Sequence, residues 1–193
     1  MDSICVFCGS SYGSDTMFEK ASIQLGQTLA RRGITLIYGG ANVGLMGTLA
    51  SAAIEAGGKV IGVIPKFLQD KELAHEGLTE LILCDSMHER KTKMFELSQG
   101  FIAMPGGFGT LEELAEMLTW HQLGLHSFPI GVLNINGFYN DLLNFFDTMV
   151  KSKLLHSDNR GTILSCPDVP TLLEQMSSYK ATPITKWLDR EST

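Results

Sequence analysis

The sequence predicts a doubly wound α/β domain, a mostly parallel sheet with helices on both faces, and three observations carry that reading. Short apolar runs alternate with longer segments of helical spacing almost from end to end. The apolar runs are continuous rather than alternating, as strands buried on both faces require. The strand-to-strand connections are long enough to be helical crossovers rather than hairpins.

Taken in order, Ser3–Cys8 reads as a first strand, followed by the turn Gly9-Ser-Ser-Tyr-Gly13. Asp15 can cap the next helix, whose apolar positions are Phe18, Ala21, Ile23, Leu25, Leu29 and Ala30 and which Gly33 ends. Ile34–Tyr38 is a second strand, and Gly39-Gly-Ala-Asn-Val-Gly-Leu-Met-Gly47 turns into a small-residue helix running to about Ala56. Val60–Ile64 is a third strand stopped by Pro65, and the polar stretch Lys66–Gly77 reads as the longest loop. A strand at Leu81–Cys84 and a helix at Met87–Ser98 follow, then a strand at Phe101–Met104 and a helix at Leu111–Leu123. The pattern closes with a strand at Ile130–Leu133, a helix around Tyr139–Lys151, a short strand at Ile163–Ser165 and a helix from Pro170. Residues 1–181 are expected to form one domain and residues 182–193 a polar surface tail.

Composition narrows the function classes. With 193 residues, 44% apolar and 19% charged, the chain has the make-up of a folded globule. A formal net charge of −6 opposes a broad nucleic-acid or membrane-surface footprint, and no apolar run approaches the roughly 20 residues that span a bilayer. The N-terminus has neither a basic leader nor a cleavage pattern, so a cytoplasmic location is expected. Cys5 and Cys8 lie three apart in a strand and point to opposite faces, which favours two buried thiols over a redox or zinc pair. The histidines lack ligand spacing, and no metal is expected.

The chemistry concentrates in two places. Pro105-Gly-Gly-Phe-Gly-Thr-Leu-Glu-Glu113 carries a buried strand into a helix start. Unpaired amides there, with the helix dipole behind them, form a seat for phosphate at Gly106–Thr110. Thr110 and Glu113 also have capping-box spacing. A bare phosphate seat gains nothing from Glu112 and Glu113. A sugar attached to that phosphate would use a carboxylate, because cleavage at an anomeric carbon passes through an oxocarbenium-like state.

The second place is Ser86-Met-His-Glu-Arg-Lys91, where Ser86 and Glu89 form a capping box. Arg90 and Lys91 sit at the unfavourable end of the helix dipole, as cations facing an anionic ligand would. The Gly39–Gly47 turn has the spacing G-G-x-x-x-G-x-x-G and lacks a dinucleotide fingerprint. Its glycines either permit tight packing or share in phosphate or base contact. In doubly wound sheets ligands bind past the carboxyl ends of the strands, so the turns at Gly9-Ser10, Gly39-Gly40 and Gly106-Gly107 are expected to converge.

Met87-His-Glu-Arg-Lys91 followed by Pro105-Gly-Gly-Phe-Gly-Thr-Leu-Glu-Glu113 resembles the LOG family, the cytokinin riboside 5′-monophosphate phosphoribohydrolases. The likeness extends from the Cys8-Gly-Ser-Ser turn through Gly39–Gly47 to Thr119-Trp-His-Gln-Leu-Gly124. It implies a Rossmann-like homodimer that cleaves the N-glycosidic bond of a purine nucleoside 5′-monophosphate, AMP or N6-substituted AMP, without a cofactor. Arg90 and Glu113 match the family's catalytic pair. Glu72, Lys91, the segment Gly107, Phe108, Gly109, Thr110, Leu111, Glu112 to Glu113, and Thr119 match substrate-contacting positions, and Phe108 stands where plant members often carry Tyr. Family members also bear the label "possible lysine decarboxylase", a reaction that needs pyridoxal phosphate on a lysine that nothing here marks. A non-catalytic AMP-binding module is the competing expectation.

Overall fold

The structure is a computed structural model that describes residues 1–69 and 74–181. Seven strands form one parallel sheet: β1 (Ser3–Phe7), β2 (Thr35–Tyr38), β3 (Val60–Pro65), β4 (Glu80–Cys84), β5 (Phe101–Ala103), β6 (Ile130–Leu133) and β7 (Ile163–Cys166). Their order across the sheet is β4-β3-β2-β1-β5-β6-β7. The chain runs outward from β1 to β4, then returns to the other side of β1 and runs outward again. Register pairs Cys5 with Ile37 on one side of β1 and with Phe101 on the other.

The longer helices are α1 (Thr16–Arg31), α2 (Gly44–Glu55), α4 (Met87–Glu96), α5 (Phe108–Gln122), α6 (Asn140–Lys151) and α8 (Val169–Ser178). Two short ones, α3 (Lys66–Gln69) and α7 (Ser157–Gly161), occupy stretches with too few residues for a periodic pattern. α3 therefore replaces the start of the expected loop, and β3 runs on through Pro65.

Both faces of the sheet are covered. On one, Leu25 and Leu29 of α1, Leu45 and Leu49 of α2 and Leu172 and Met176 of α8 pack against Ile4, Val6 and Leu36. On the other, Met94 of α4 and Leu114 and Met117 of α5 pack against Cys5, Phe7 and Phe101, with Leu142, Leu143 and Phe146 of α6 at the margin. Cys5 and Cys8 are buried, free thiols in opposite core layers, as their spacing required. α1 and α2 approach closely because residue 26 is Gly: a Cβ there would collide with the Leu49 carbonyl.

Local chemistry sets the helix ends. The Asp15 carboxylate accepts the Met17 amide at 2.8 Å, and Asp168 accepts the Thr171 amide at 2.9 Å. Gly33, at φ +68°, takes the left-handed turn after α1 that other residues enter with strain. Among the described residues no helix is long and apolar enough to cross a membrane. The tail at 182–193 and Glu72 lie outside the described residues.

Candidate active site

The three glycine turns follow β2, β1 and β5, which are neighbours in the sheet, so the reversal of strand order brings them together. The Gly9 amide donates to the Pro105 carbonyl at 3.1 Å, joining the first turn to the third. Gly44, at φ +52°, lets the second turn press onto the Ser10–Ser11 backbone, where a Cβ would overlap it. Gly9, Gly39 and Gly40 are buried there and Ser10 is exposed.

α5 begins three residues before the expected Leu111, with Gly107 at the cap position and, among the described residues, no side chain capping the helix. The amides of Phe108, Gly109 and Thr110 are its first, and the Leu111 amide donates back to the Gly107 carbonyl at 3.1 Å. Thr110 is thus a buried third residue of the helix, not the cap of a capping box, and Glu113 lies in the second turn. The early start follows from Gly106, where a Cβ would strike the Thr110 hydroxyl; without one the turn tightens and the helix closes sooner. A helix start of this kind, with dipole-aligned amides, is suited to an anion. At its entrance Phe108 is 91% exposed and Leu111 is also exposed.

α4 supplies the cations. Its start is the expected capping box, slightly lengthened: Ser86 Oγ accepts the Glu89 amide at 3.1 Å, and Glu89 Oε2 accepts the Asp85 amide at 2.8 Å. Arg90 follows in the helix and is buried, 7% exposed. Its Nε donates to the Val63 carbonyl at 3.1 Å and its Nη2 to the Gly39 carbonyl at 3.3 Å, at the carboxyl ends of β3 and β2. Gly39 makes this possible, because a Cβ there would occupy the Nη2 position. Nη1 meets Met87 Sδ at 3.9 Å, and two of the five N–H groups of the guanidinium have no partner among the described residues.

Glu113 is partly buried, and that burial pushes its carboxyl up from 4.5 to about 7. Arg90 and Lys91 pull it down, and Glu112 and Glu116 reinforce the rise. A carboxyl near 7 beside a buried guanidinium is suited to accept a proton at neutral pH.

Lys91 is arranged otherwise than expected. Its ammonium meets Glu112 at 2.5 Å and Glu116 at 3.1 Å, and these contacts hold its charge although burial opposes it. Lys91 and Glu112 therefore face each other rather than open space, and the presence of Glu112 is explained by the lysine of the neighbouring helix. Glu116 is a member of this group that sequence reasoning missed. The available signal was its i, i+4 spacing from Glu112, which makes a two-carboxylate fork for a cation.

Thr119 stands apart. It is exposed, bonds back to the Ala115 carbonyl at 2.7 Å, and lies about 13 Å further along the helix axis than Thr110. His121 and His126 are buried and engaged with the Tyr179 hydroxyl at 3.1 Å and the Met117 carbonyl at 3.0 Å, which accounts for both without a ligand.

Comparison with known proteins places the chain among relatives. The family model described as "Possible lysine decarboxylase" matches residues 46–176. Cytokinin riboside 5′-monophosphate phosphoribohydrolase LOG2 of Arabidopsis thaliana is 46% identical over 176 residues, 91% of this chain and 83% of that protein. LOG5 of the same plant, with the same printed activity, is 45% identical over 177 residues, 92% of this chain and 78% of its own length. Among solved structures, the Moco carrier protein of Chlamydomonas reinhardtii superposes with a TM-score of 0.69 at 22% identity, covering 91% of this chain and 97% of that one. That last likeness is one of fold, a Rossmann-type sheet.

Proposed function

Because the chain belongs to the LOG family of cytokinin riboside 5′-monophosphate phosphoribohydrolases, we propose that it hydrolyses the N-glycosidic bond of purine nucleoside 5′-monophosphates. AMP and N6-substituted AMP are the substrates proposed, and free base and ribose 5-phosphate the products. The observation that carries the reading is Glu113: a carboxyl held near 7, one helical turn inside an uncapped glycine-rich N-terminus, beside the buried Arg90.

In this reading the 5′-phosphate sits on the amides at Gly107–Thr110 and against Gly9-Ser10, so the ribose lies over the second turn of α5. The Glu113 carboxylate takes a proton from water as the water oxygen bonds to the anomeric carbon, and it offsets the positive charge developing on the ribose. The C–N bond breaks, its electrons pass to the base nitrogen, the base takes a proton from solvent, and Glu113 returns to solvent the proton it took from water. Arg90 is anchored by the Val63 and Gly39 carbonyls, so its free N–H groups are fixed in direction and steady the departing base without reorganising. Gly39 and Gly40 give the base a wall without side chains. No metal or cofactor is invoked.

The homodimer implied by the resemblance has a surface to use, since Leu111, Ala115, Thr119 and Leu123 lie along the exposed side of α5. In such a dimer Thr119 would meet a second copy rather than the seat of its own chain.

Incubating the purified protein with AMP and with N6-isopentenyl-AMP and separating the products tests the activity. Base and ribose 5-phosphate should appear in equal amounts, and Glu113→Gln should lower kcat by at least about a hundredfold. Failure of both nucleotides to be cleaved, or wild-type rates in the Gln variant, would overturn the proposal.

A further inference from the structure

Both carboxylates that hold the Lys91 ammonium come from α5, Glu112 at 2.5 Å and Glu116 at 3.1 Å, and the lysine side chain is only 10% exposed. Glu112 and Glu116 are one helical turn apart, with Glu113 beside them on the same helix. Yet among the described residues Glu113 has neither an ion-pair nor a hydrogen-bond partner, although Lys91 and Arg90 both act on its titration. A partly buried carboxylate next to a buried ammonium ordinarily takes that ammonium for itself. Here its two neighbours have taken it instead.

Glu116 presents a second anomaly. One of its oxygens meets Lys91, while the other, Oε2, is enclosed and has no partner among the described residues. An enclosed carboxylate oxygen without a donor is costly and asks for a reason. A small cavity of about 10 Å³ in the seam between α4 and α5 is bounded by Lys91, Glu113 and Glu116 together with Phe7, Met94 and Met117. Such a space is at the lower limit for a single water, so charges facing it are poorly screened.

We propose that Glu116 is a positioning residue for Glu113: by holding the Lys91 ammonium from within the helix seam, it leaves Glu113 without an ionic partner and free to act as the base. The inference rests on the reading of Glu113 as the carboxylate that works on substrate. The groups facing Glu113 are Arg90 and Lys91 from α4, Glu112 and Glu116 from its own helix, and the Cys5 thiol from β1, with the Cys8 thiol just past that strand also within electrostatic reach. Burial pushes both thiols up, so they carry no charge at neutral pH. Two cations and two flanking carboxylates are left in balance. Glu112 is 56% exposed and screened by water, whereas Glu116 is 23% exposed and is not, so Glu116 is the steadier hold.

In Glu116→Gln the amide oxygen still accepts a bond from Lys91, but the negative charge is gone. The positive charge facing Glu113 is then unbalanced and Glu113 ionises at lower pH. Lys91→Met acts in the opposite direction.

The test follows the carboxyl carbon of Glu113 by NMR in the full chain labelled with ¹³C-glutamate, the resonance being assigned by its loss in Glu113→Gln. The midpoint should fall by at least about half a pH unit in Glu116→Gln and rise in Lys91→Met. The acid limb of kcat/KM for AMP should move with it, and the plateau at alkaline pH should drop because the base is weaker. A purely structural role would lower activity at every pH and leave the midpoint in place. A midpoint in folded Glu116→Gln within about 0.2 of the wild type would overturn the proposal. If Glu116→Gln does not fold, Glu112→Gln removes charge from the same clamp, and its midpoint must also fall. A shifted midpoint in a protein that leaves AMP intact would support the clamp and remove only the hydrolase reading.

Discussion

Replacing Glu113 by Gln is expected to stabilise the protein, by an amount that depends on pH. Glu113 titrates at about 7 in the fold against an ordinary 4.5, because burial penalises its charge more than Arg90 and Lys91 favour it. Between those values the folded chain keeps a proton that the unfolded chain has released. Stability therefore falls as pH rises from about 4.5 to 7 and stays level above that window. A tenfold change in an ionisation constant corresponds to about 1.4 kcal/mol, so the burden at pH 8.5 is about 3 kcal/mol. The neutral amide of Gln has nearly the same shape and carries no such burden. We expect about 2–3 kcal/mol of added stability at pH 8.5, a rise in Tm of about 4–12 °C for a chain of this size, and almost none at pH 4.5. Thermal melts of both proteins at the two pH values, followed by circular dichroism, measure this directly. A gain of equal size at both values, or a loss at pH 8.5, would refute the reasoning, since Glu113 would then not be an ionised group held against desolvation.

The pH dependence of kcat/KM should show an acid limb with a midpoint near 7, where Glu113 ionises, and an acid limb near 4.5 would contradict its role as base. Gly39→Ala places a methyl where the Arg90 Nη2 now lies, so activity should fall at least about tenfold while the far-ultraviolet spectrum is unchanged. Gly106→Ala drives a methyl into Thr110 and spoils the turn, and KM for the nucleotide should rise more than kcat falls, as steady-state kinetics will show. Arg90→Lys serves one of the Val63 and Gly39 carbonyls and leaves the other without its donor, at a cost of about 1–3 kcal/mol measurable by urea unfolding.

The alternation of strands and helices was legible in the sequence because strands covered on both faces leave continuous apolar runs and helices leave a periodic stripe. The convergence of Gly9, Gly39 and Gly106 was legible too, since a doubly wound sheet sends successive turns to one edge. The start of α5 was not, because Gly107-Phe-Gly109 reads as a turn in isolation, whereas Phe108 and Gly109 are helical once the backbone closes over Gly106. Nor was the setting of Arg90, whose partners Val63 and Gly39 are 27 and 51 positions away in the chain. Glu112 looked superfluous because Lys91, 21 positions earlier, lies on another helix. Local pattern reports which segments are helical, while pairing between segments depends on how they are set side by side.

The bond from the Gly9 amide to the Pro105 carbonyl spans the junction of β1 and β5, where the outgoing and returning halves of the chain meet. A ribosome that has made the chain through Arg90 has produced the Gly9, Gly39 and guanidinium parts of the site but not the helix that would receive phosphate. On the proposed reading the site is therefore completed only when β5 has docked and α5 has formed. A nucleotide bound as proposed acts as a clasp across that junction. At a hundredfold excess over Kd it adds about 2.7 kcal/mol against any opening that parts β5 from β1. Amide exchange of Val6 and Ile102, at the middle of the junction, should slow together on saturation.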